Sequence, residues 1–214
     1  MDPSGPMQAI ANIWQNARCS VRDFVADKRA LAATEFAVIV PLMLVMFFGT
    51  VEFSSAVAID RKVTLIARAL SDLASQSVKL TDADMKDTFT ASISVIMPYD
   101  ATLVKGTVSQ IQIDANSIAT IQWSRAGTIA SGATQATLAT SARKPGDKVT
   151  SMIPASLLIP STYLILSEAS YTYTPSVGYV LKSSIPLGDL SYTRPRQVAC
   201  VPYPYPDNNN QSTC

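Results

Sequence analysis

The chain has 214 residues and a formal net charge of +1, with 48% hydrophobic residues, only 15% charged residues and no histidine. Soluble domains carry about 25% charged residues, so this composition indicates a membrane or exported protein. The near-neutral charge argues against nucleic acid as a partner, because phosphate binding needs clustered Lys and Arg. The lack of histidine excludes Ser-His-Asp and Cys-His catalytic arrangements and the commonest zinc ligand. We therefore expect no enzyme, no catalytic residues, no metal site and no cofactor.

Residues 8–27 carry the first periodic pattern of the chain. Apolar residues recur there at spacings of three and four and include Trp14, while Gln15, Arg18 and Arg22 take the other face. This spacing predicts an amphipathic helix. The pattern leaves open whether that helix lies in a membrane interface or belongs to a disposable leader.

The next segment is an apolar run without a polar face. Residues 36–51 contain no ionisable side chain, and after Glu52 the run continues to Ile59. As a helix, residues 36–59 would span ~36 Å, against a hydrocarbon core of ~30 Å. We predict one membrane-spanning helix. The chain then divides into a cytoplasmic leader at residues 1–30, a transmembrane helix at residues 31–59 and a periplasmic head at residues 60–214.

Two other interpretations of the apolar run remain open. It would be a buried core helix in a soluble protein, or the apolar part of a secretory signal peptide cut after Ala56-Val57-Ala58. The run exceeds the roughly 7–15 apolar residues usual in a signal peptide, and Glu52 would lie between them and the cut. Both features favour a permanent anchor.

The cysteines help to orient the chain. Lys and Arg flank the run on both sides, so their bias is weak. Cys200 and Cys214 are placed to close a loop of about fifteen residues, and a disulfide there would contribute ~3 kcal/mol in the chain-entropy model. It would put the C-terminal part in an oxidising compartment and the N-terminus in the cytoplasm, with Cys19 a free thiol. The alternative is three unpaired thiols.

Two helices are predicted beyond the run. The apolar stripe that continues the first helix past the membrane consists of Val57, Val63, Ile66, Ala67, Leu70 and Leu73. No Pro or Gly interrupts residues 51–78, so one helix can serve as anchor and as spine of the head. Thr81 is the predicted N-cap of a second helix, with acidic residues in its first turn, and Met97-Pro98 ends it. A calcium loop at residues 81–87 is disfavoured, because Lys86 stands where a ligand is needed.

The remaining pattern predicts an antiparallel sheet. Residues 107–114 and 118–125 alternate and predict a hairpin, with Trp123 in the core. Residues 163–174 give the strongest strand pattern. Residues 190–196 predict an edge strand, because Pro195 cannot donate to a ladder.

Two segments are predicted without regular structure. Residues 126–141 are rich in Ala, Thr, Ser and Gly and predict a long surface loop. The proline-rich tail after Cys200 is expected to be ordered by the disulfide alone. The predicted fold class is α+β: a long N-terminal helix, membrane-spanning and then amphipathic, with a periplasmic head containing a small antiparallel sheet.

The segment RALAATEF at residues 29–36, followed by an apolar run with Pro41, resembles the processing site of type IV pilin-like proteins. The second Glu-Phe pair, Glu52-Phe53, makes the pattern similar to the TadE-like minor pseudopilins of the tight adherence pilus system. The end of the strongest strand at residues 171–175 and the Arg-Pro-Arg at residues 194–196 also resemble that family.

The resemblance implies that the α+β fold is pilin-like, and it implies roles for particular residues. Ala30 would precede the cleavage made by a prepilin peptidase, although the family has Gly there, and Leu31 would become the mature N-terminus. Glu35 and Phe36 would then act in assembly. Pro41, Glu52 and Phe53 are further assembly or interface candidates.

The spacing of the cut and the acid has a physical reason. Cleavage after Ala30 frees an α-amino group four residues before Glu35, and one subunit's amine can neutralise the next subunit's Glu35 in the membrane. Pro41 removes a backbone hydrogen bond of the helix. Two interpretations remain open: Pro41 causes a local kink, or it is a proline tolerated in a membrane helix without such an effect. Glu52 either reaches lipid headgroups at the interface or has a role of its own.

The resemblance implies a minor pseudopilin-type, single-pass inner-membrane protein that supports or initiates pilus assembly, at the membrane or within the pilus. Its expected partners are the membrane, the prepilin peptidase, other pilins and pseudopilins, and the pilus assembly platform. The alternative is an uncleaved, membrane-anchored periplasmic binding or scaffold module. The composition also leaves open a Ser–Lys catalytic pair, but no sequence motif supports one.

Overall fold

The computed structural model describes residues 28–175 and 183–204. The chain divides into two units, Met1–Val51 and Glu52–Cys214. Helix α1, Lys28–Ser75, begins in the first unit and ends in the second. The helix predicted at residues 8–27 lies outside the described residues, and so does the tail after residue 204.

The described part of the first unit is helical throughout. Pro41 lies inside α1, and the helix continues through it. None of the side chains at residues 31–51 is buried. A buried core helix, one of the alternatives for this run, therefore does not describe the first unit.

In the second unit, α1 contributes one buried face. Its fully buried apolar side chains recur every three or four residues, at Ile59, Val63, Ile66, Ala67, Leu70 and Ala74. This spacing places them on a single stripe of the helix. Of the six residues predicted on the stripe, Val63, Ile66, Ala67 and Leu70 are buried, whereas Val57 is half-buried. Leu73, which was predicted on the stripe, is 36% exposed and lies at its margin.

Helix α2, Asp82–Ile93, starts where the sequence predicted. The Thr81 hydroxyl accepts a hydrogen bond from the backbone N–H of Asp84, and the Asp84 carboxylate accepts one from the backbone N–H of Thr81. This reciprocal capping box satisfies two amides that the first turn would leave without partners. The bonds from Thr81 lower the pKa of Asp84.

The sheet has five antiparallel strands in the order β3-β2-β1-β4-β5. Their bounds are Val104–Ile113 for β1, Ala119–Thr128 for β2, Thr137–Thr140 for β3, Thr162–Tyr173 for β4 and Ile185–Thr193 for β5. The register of β1 and β2 shifts between Gln110 and Ile111, where β2 carries the extra residue Gln122. The hairpin and the strand predicted at residues 163–174 are confirmed, and so is the α+β fold class.

Two glycines let α2 approach the sheet. Gly106 and Gly127 lie opposite each other on β1 and β2. A Cβ atom built at Gly127 would lie 2.4 Å from the Phe89 ring, and one built at Gly106 would lie 2.9 Å from it. Phe89 is fully buried, so its ring occupies the space that side chains at these two positions would fill.

The two sides of the sheet are covered differently. On one side, α1 and α2 bury a large cluster that includes Val108, Trp123 and Ile165. On the other side, the segment around Val149 and Ile153 covers only the half of the sheet that contains the β1–β2 turn. Among the described residues, no segment covers the remaining half of that second side, which forms a cleft.

Two strand predictions need correction. Residues 126–141 are not a continuous loop, because β2 runs on to Thr128 and β3 pairs with it. The Thr and Ala residues of β3 show only a weak strand pattern in the sequence. The strand conformation of β3 therefore depends on its pairing with β2. The edge strand begins at Ile185 and ends at Thr193, so Pro195 lies beyond it.

Candidate membrane anchor and assembly segment

The apolar side chains of the first unit face outward. Most of its large apolar residues are exposed, with fractions that range from 46% at Val51 to 75% at Val38, while Val40 and Phe48 are half-buried. Among the described residues, one helix is long and apolar enough to cross a membrane, and none of its most apolar stretch is buried. Apolar surface of this extent in water would be costly at about 25 cal/mol per Å². The helix is therefore suited to be a single-pass membrane anchor.

The predicted processing site lies near the start of α1. The helix includes the Ala30–Leu31 peptide bond, while the side chain of Ala30 is outside the described part. Leu31 is 61% exposed, and its carbonyl accepts a hydrogen bond from the Thr34 hydroxyl at 2.8 Å. Cleavage at this bond stays a prediction.

The predicted assembly residues share the exposed surface of the first unit. Glu35 and Phe36 are both exposed. Pro41 is exposed as well and lies within the same helix. The structure thus leaves all three accessible to lipid or to a second chain, and their roles in assembly stay predictions.

Glu52 and Phe53 have opposite environments in the second unit. Glu52 is 2% exposed, and its backbone carbonyl accepts a hydrogen bond from the Tyr173 hydroxyl at 3.3 Å. Phe53, rotated by about 100° on the helix, is 69% exposed. Burial raises the pKa of Tyr173, and the charges of Glu52 and Tyr99 raise it further. The interpretation in which Glu52 reaches lipid headgroups therefore does not hold.

Cys200 is disulfide-bonded, and both other cysteines, Cys19 and Cys214, lie outside the described residues. Its pairing with Cys214 stays a prediction. Cys200 is nearly buried, and the Gln110 amide donates a hydrogen bond to its Sγ at 2.9 Å. The Cys200 sulfur is thus held in place by a side chain of β1.

Residues 201–203 are held by the sheet, and for these residues the prediction that only the disulfide orders the tail is wrong. The backbone N–H of Val201 donates to Gln110 Oε1 at 2.8 Å, and its carbonyl accepts from Trp123 Nε1 at 2.9 Å. The Tyr203 ring lies 5.2 Å from the Trp123 ring. Val201 and Tyr203 are buried, so residues 200–203 are part of the core.

Tyr203 also joins a polar cluster at the start of α2. Its hydroxyl donates to Asp82 and accepts a hydrogen bond from Arg125 Nε at 2.9 Å. Arg125 and Asp82 lie 3.7 Å apart. Burial and the bond to Asp82 raise the pKa of Tyr203 to about 12. The cluster connects α2, β2 and the C-terminal segment.

The open half of the second sheet side forms a cleft of about 710 Å³. Arg143 crosses it and holds Glu168 through two hydrogen bonds, of 2.5 and 2.6 Å. Charges of both signs line the cleft, at Lys105, Arg143, Asp147, Glu168 and Asp189. In the part of the chain that the structure describes, no group of three or more Cys, Asp or Glu residues is placed to hold a metal ion. The cleft is therefore lined by side chains of both charges, with the Arg143–Glu168 ion pair among them.

The burial of Glu52 and that of Val201 and Tyr203 were not predicted from the sequence, although the spacing of apolar residues indicates both. Glu52 lies seven residues before Ile59, on the same helix stripe, so its burial follows from the register. Val201 and Tyr203 alternate with prolines, which is the spacing of an extended segment with one buried side.

Comparison with known proteins bears on the N-terminal part. A family model described as TadE-like protein matches residues 31–70. No curated protein and no solved structure matches the chain significantly. The matched residues include Glu35, Phe36, Pro41, Glu52 and Phe53. TadE-like proteins belong to the tight adherence pilus system and are typically structural rather than enzymatic. Residues 31–70 of this chain are therefore similar to TadE-like proteins, and the match covers both of the Glu-Phe pairs on which the sequence resemblance was based.

Proposed function

We propose that this protein is a minor pseudopilin-type component of tight adherence pilus biogenesis. The observation that carries the proposal is the TadE-like match over residues 31–70, which coincides with an exposed apolar helix long enough to cross a membrane. The protein supports or initiates assembly and catalyses no reaction. Its partners are other pilus components, including pilins and the assembly platform, and the prepilin peptidase.

The proposed topology places residues 1–30 in the cytoplasm, the anchor in the inner membrane and the remaining chain in the periplasm. The disulfide at Cys200 supports this orientation, because structural disulfides persist in oxidising compartments. The peptidase removes the leader after Ala30, and Leu31 becomes the first residue. The new amine then neutralises Glu35 of a neighbouring subunit.

A second candidate function is an uncleaved anchored binding module. Two observations favour it: Ala30 stands where the family has Gly, and the head carries a cleft lined in part by charged side chains. In that case the leader remains attached and the open sheet side binds a periplasmic partner.

The N-terminal residue of the protein in its own cells decides between the two functions. Mass spectrometry of the membrane fraction should find a chain that begins at Leu31. Recovery of the intact leader would favour the binding module, and a chain that begins at Ile59 would favour a secreted protein. A variant with Ala30→Gly is the matched control, because it restores the usual family residue and should be cleaved at least as completely.

A further inference from the structure

Strand β5 forms one edge of the sheet. Its nine residues, Ile185–Thr193, pair with β4 on one side, and among the described residues no strand pairs with them on the other side. An edge of this length presents a row of backbone N–H and C=O groups to which a strand of another chain can bind. The direction of these groups therefore decides whether a second chain can extend the sheet.

The backbone groups of β5 point alternately towards β4 and towards the outer side, as in every antiparallel ladder. The carbonyl of Ser191 points towards β4, because it lies 3.4 Å from the hydroxyl of Ser167. Ser167 is the residue of β4 that lies opposite Ser191 in the ladder. The odd-numbered residues of β5 thus bond to β4, and residues 186, 188, 190 and 192 direct their backbone groups outward.

Two of these outward positions have no N–H available to a partner. Pro186 has no backbone N–H. The backbone N–H of Leu190 donates to Oδ1 of its neighbour Asp189 at 2.8 Å. This bond engages the N–H of Leu190 outside the ladder, in agreement with the alternation. We name Pro186 and Asp189 the edge guard.

The edge guard removes the donors that a second copy of this strand would need. In an antiparallel pairing of two β5 strands centred on Gly188, position 186 of each copy lies opposite position 190 of the other copy. Such a pair normally exchanges two N–H···O=C bonds. Here Pro186 lacks one of the two donors, and the other donor, at Leu190, is already bonded to Asp189. The pair at Gly188 keeps its bonds, and the pairs on both sides of it lose theirs.

We propose that Pro186 and Asp189 close the β5 edge to strand addition by a second copy of this chain. A second copy is the partner concerned, because two identical edges are complementary to each other about a twofold axis. Pro186 thus has the role that was predicted for Pro195, which lies beyond the strand. This inference goes beyond the proposed pilus function and does not depend on it.

Restoring the two donors tests the proposal. The double variant Pro186→Thr/Asp189→Ala supplies an N–H at position 186 and frees the N–H of Leu190. The matched control Pro195→Thr/Asp60→Ala makes the same two changes outside β5, at a proline beyond the strand and at an exposed acid of α1. Sedimentation equilibrium of the full chain in detergent micelles gives the dimer dissociation constant of each protein.

The dissociation constant of the double variant should fall at least about tenfold relative to the unchanged protein, because each regained backbone hydrogen bond contributes a factor of roughly 2–10. The matched control should not change it. Amide hydrogen exchange followed by NMR locates the contact: the amides at positions 186 and 190 should become more protected as the protein concentration rises. Unaltered association of the double variant, or association without this protection, would overturn the proposal.

Single variants at Asp189 separate hydrogen bonding from charge. The side-chain oxygen of Asn can still accept from the N–H of Leu190, so Asp189→Asn should associate no more than the unchanged protein. Asp189→Ala should associate more tightly. If the two variants associated equally, charge repulsion would keep the copies apart and the edge guard would be wrong. Both variants keep Pro186, so the test remains decisive even where the double variant does not fold.

Discussion

Glu52 and Phe53 are adjacent on one helix, yet Glu52 is 2% exposed and Phe53 is 69% exposed. Glu52 shares its helix stripe with Ile59 and Val63, which are buried against the sheet. Phe53 lies on the side that α1 turns to its surroundings. The second Glu-Phe pair of the TadE-like segment thus places its acid in the protein and its aromatic ring outside. The two residues therefore have different environments: Glu52 is part of the buried interior of the head, and Phe53 is part of its exposed surface.

Gly127→Ala should lower the free energy of unfolding of the head by about 1–3 kcal/mol, because the new methyl group would overlap the Phe89 ring. Urea titration of the protein in detergent micelles measures the change. Gly188→Ala is the matched control on β5, where the nearest atom to a new Cβ is 3.4 Å away, and it should be nearly neutral. An equal loss in both variants would contradict the close approach of α2 to the sheet.

The stability of the head should fall between pH 10 and 12 through Tyr203. The pKa of this phenol is raised from 10.0 to about 12 in the folded protein, by burial and by its bond to Asp82. A raised pKa gives stability that is complete below the unfolded value and is lost as the pH rises through the folded value. Chemical unfolding measured from pH 8 to pH 12 checks this.

Tyr203→Phe is the control for that measurement. It should flatten the alkaline part of the stability curve, and it should cost about 1–3 kcal/mol at neutral pH because Asp82 and Arg125 lose a buried partner. If the variant kept the full alkaline loss, other groups would be responsible for it.

Arg143 and Glu168 should show a measurable coupling energy in a double-mutant cycle. Their two hydrogen bonds are short, and both side chains are about three-quarters buried, at 26% and 24% exposure. Arg143→Ala combined with Glu168→Gln should give about 1 kcal/mol of coupling. The more exposed pair Arg196–Asp72, at 54% and 43% exposure, is the comparison and should give less. Arg143→Lys should not restore the coupling, because Lys lacks the two-pronged donor.

Cys214→Ser should destabilise the head by ~3 kcal/mol if Cys200 and Cys214 close the predicted loop. Treatment of the unchanged protein with a reductant should have the same effect, since both remove one bond. Thermal unfolding under oxidising and reducing conditions measures it. Cys19→Ser is the control and should leave the transition unchanged. A loss with Cys19→Ser instead would assign the bond at Cys200 to that cysteine.

Glu35→Ala should abolish pilus formation while the head remains folded. The reason is that Glu35 is exposed on the anchor, where its charge would need the amine of a neighbouring subunit. Electron microscopy of cells counts the pili, and circular dichroism of the purified protein checks the fold. Thr34→Ala removes an equally exposed neighbour and should leave piliation normal. Normal piliation with Glu35→Ala would refute the proposed role.

The helices of this protein could be predicted from the sequence, because they depend on interactions between residues that are close together in the chain. The anchor follows from an apolar run long enough for a bilayer, and the start of α2 follows from the Thr81 and Asp84 cap. The hairpin and β4 have strong alternation of their own, so these strands were predictable too. The first Glu-Phe pair and the second were sufficient to identify the TadE-like segment.

Tertiary structure decided the features that need a distant partner. Strand β3 forms because β2 offers its open edge, and residues 201–203 are ordered because Gln110, Trp123 and Arg125 hold them from across the sheet. The backbone carbonyl of Glu52 is bound by the Tyr173 hydroxyl, more than a hundred residues away in the chain. Periodicity records which residues share a face, but only packing determines which face meets which partner, because hydrogen bonds and buried surface between distant segments exist only in the folded chain.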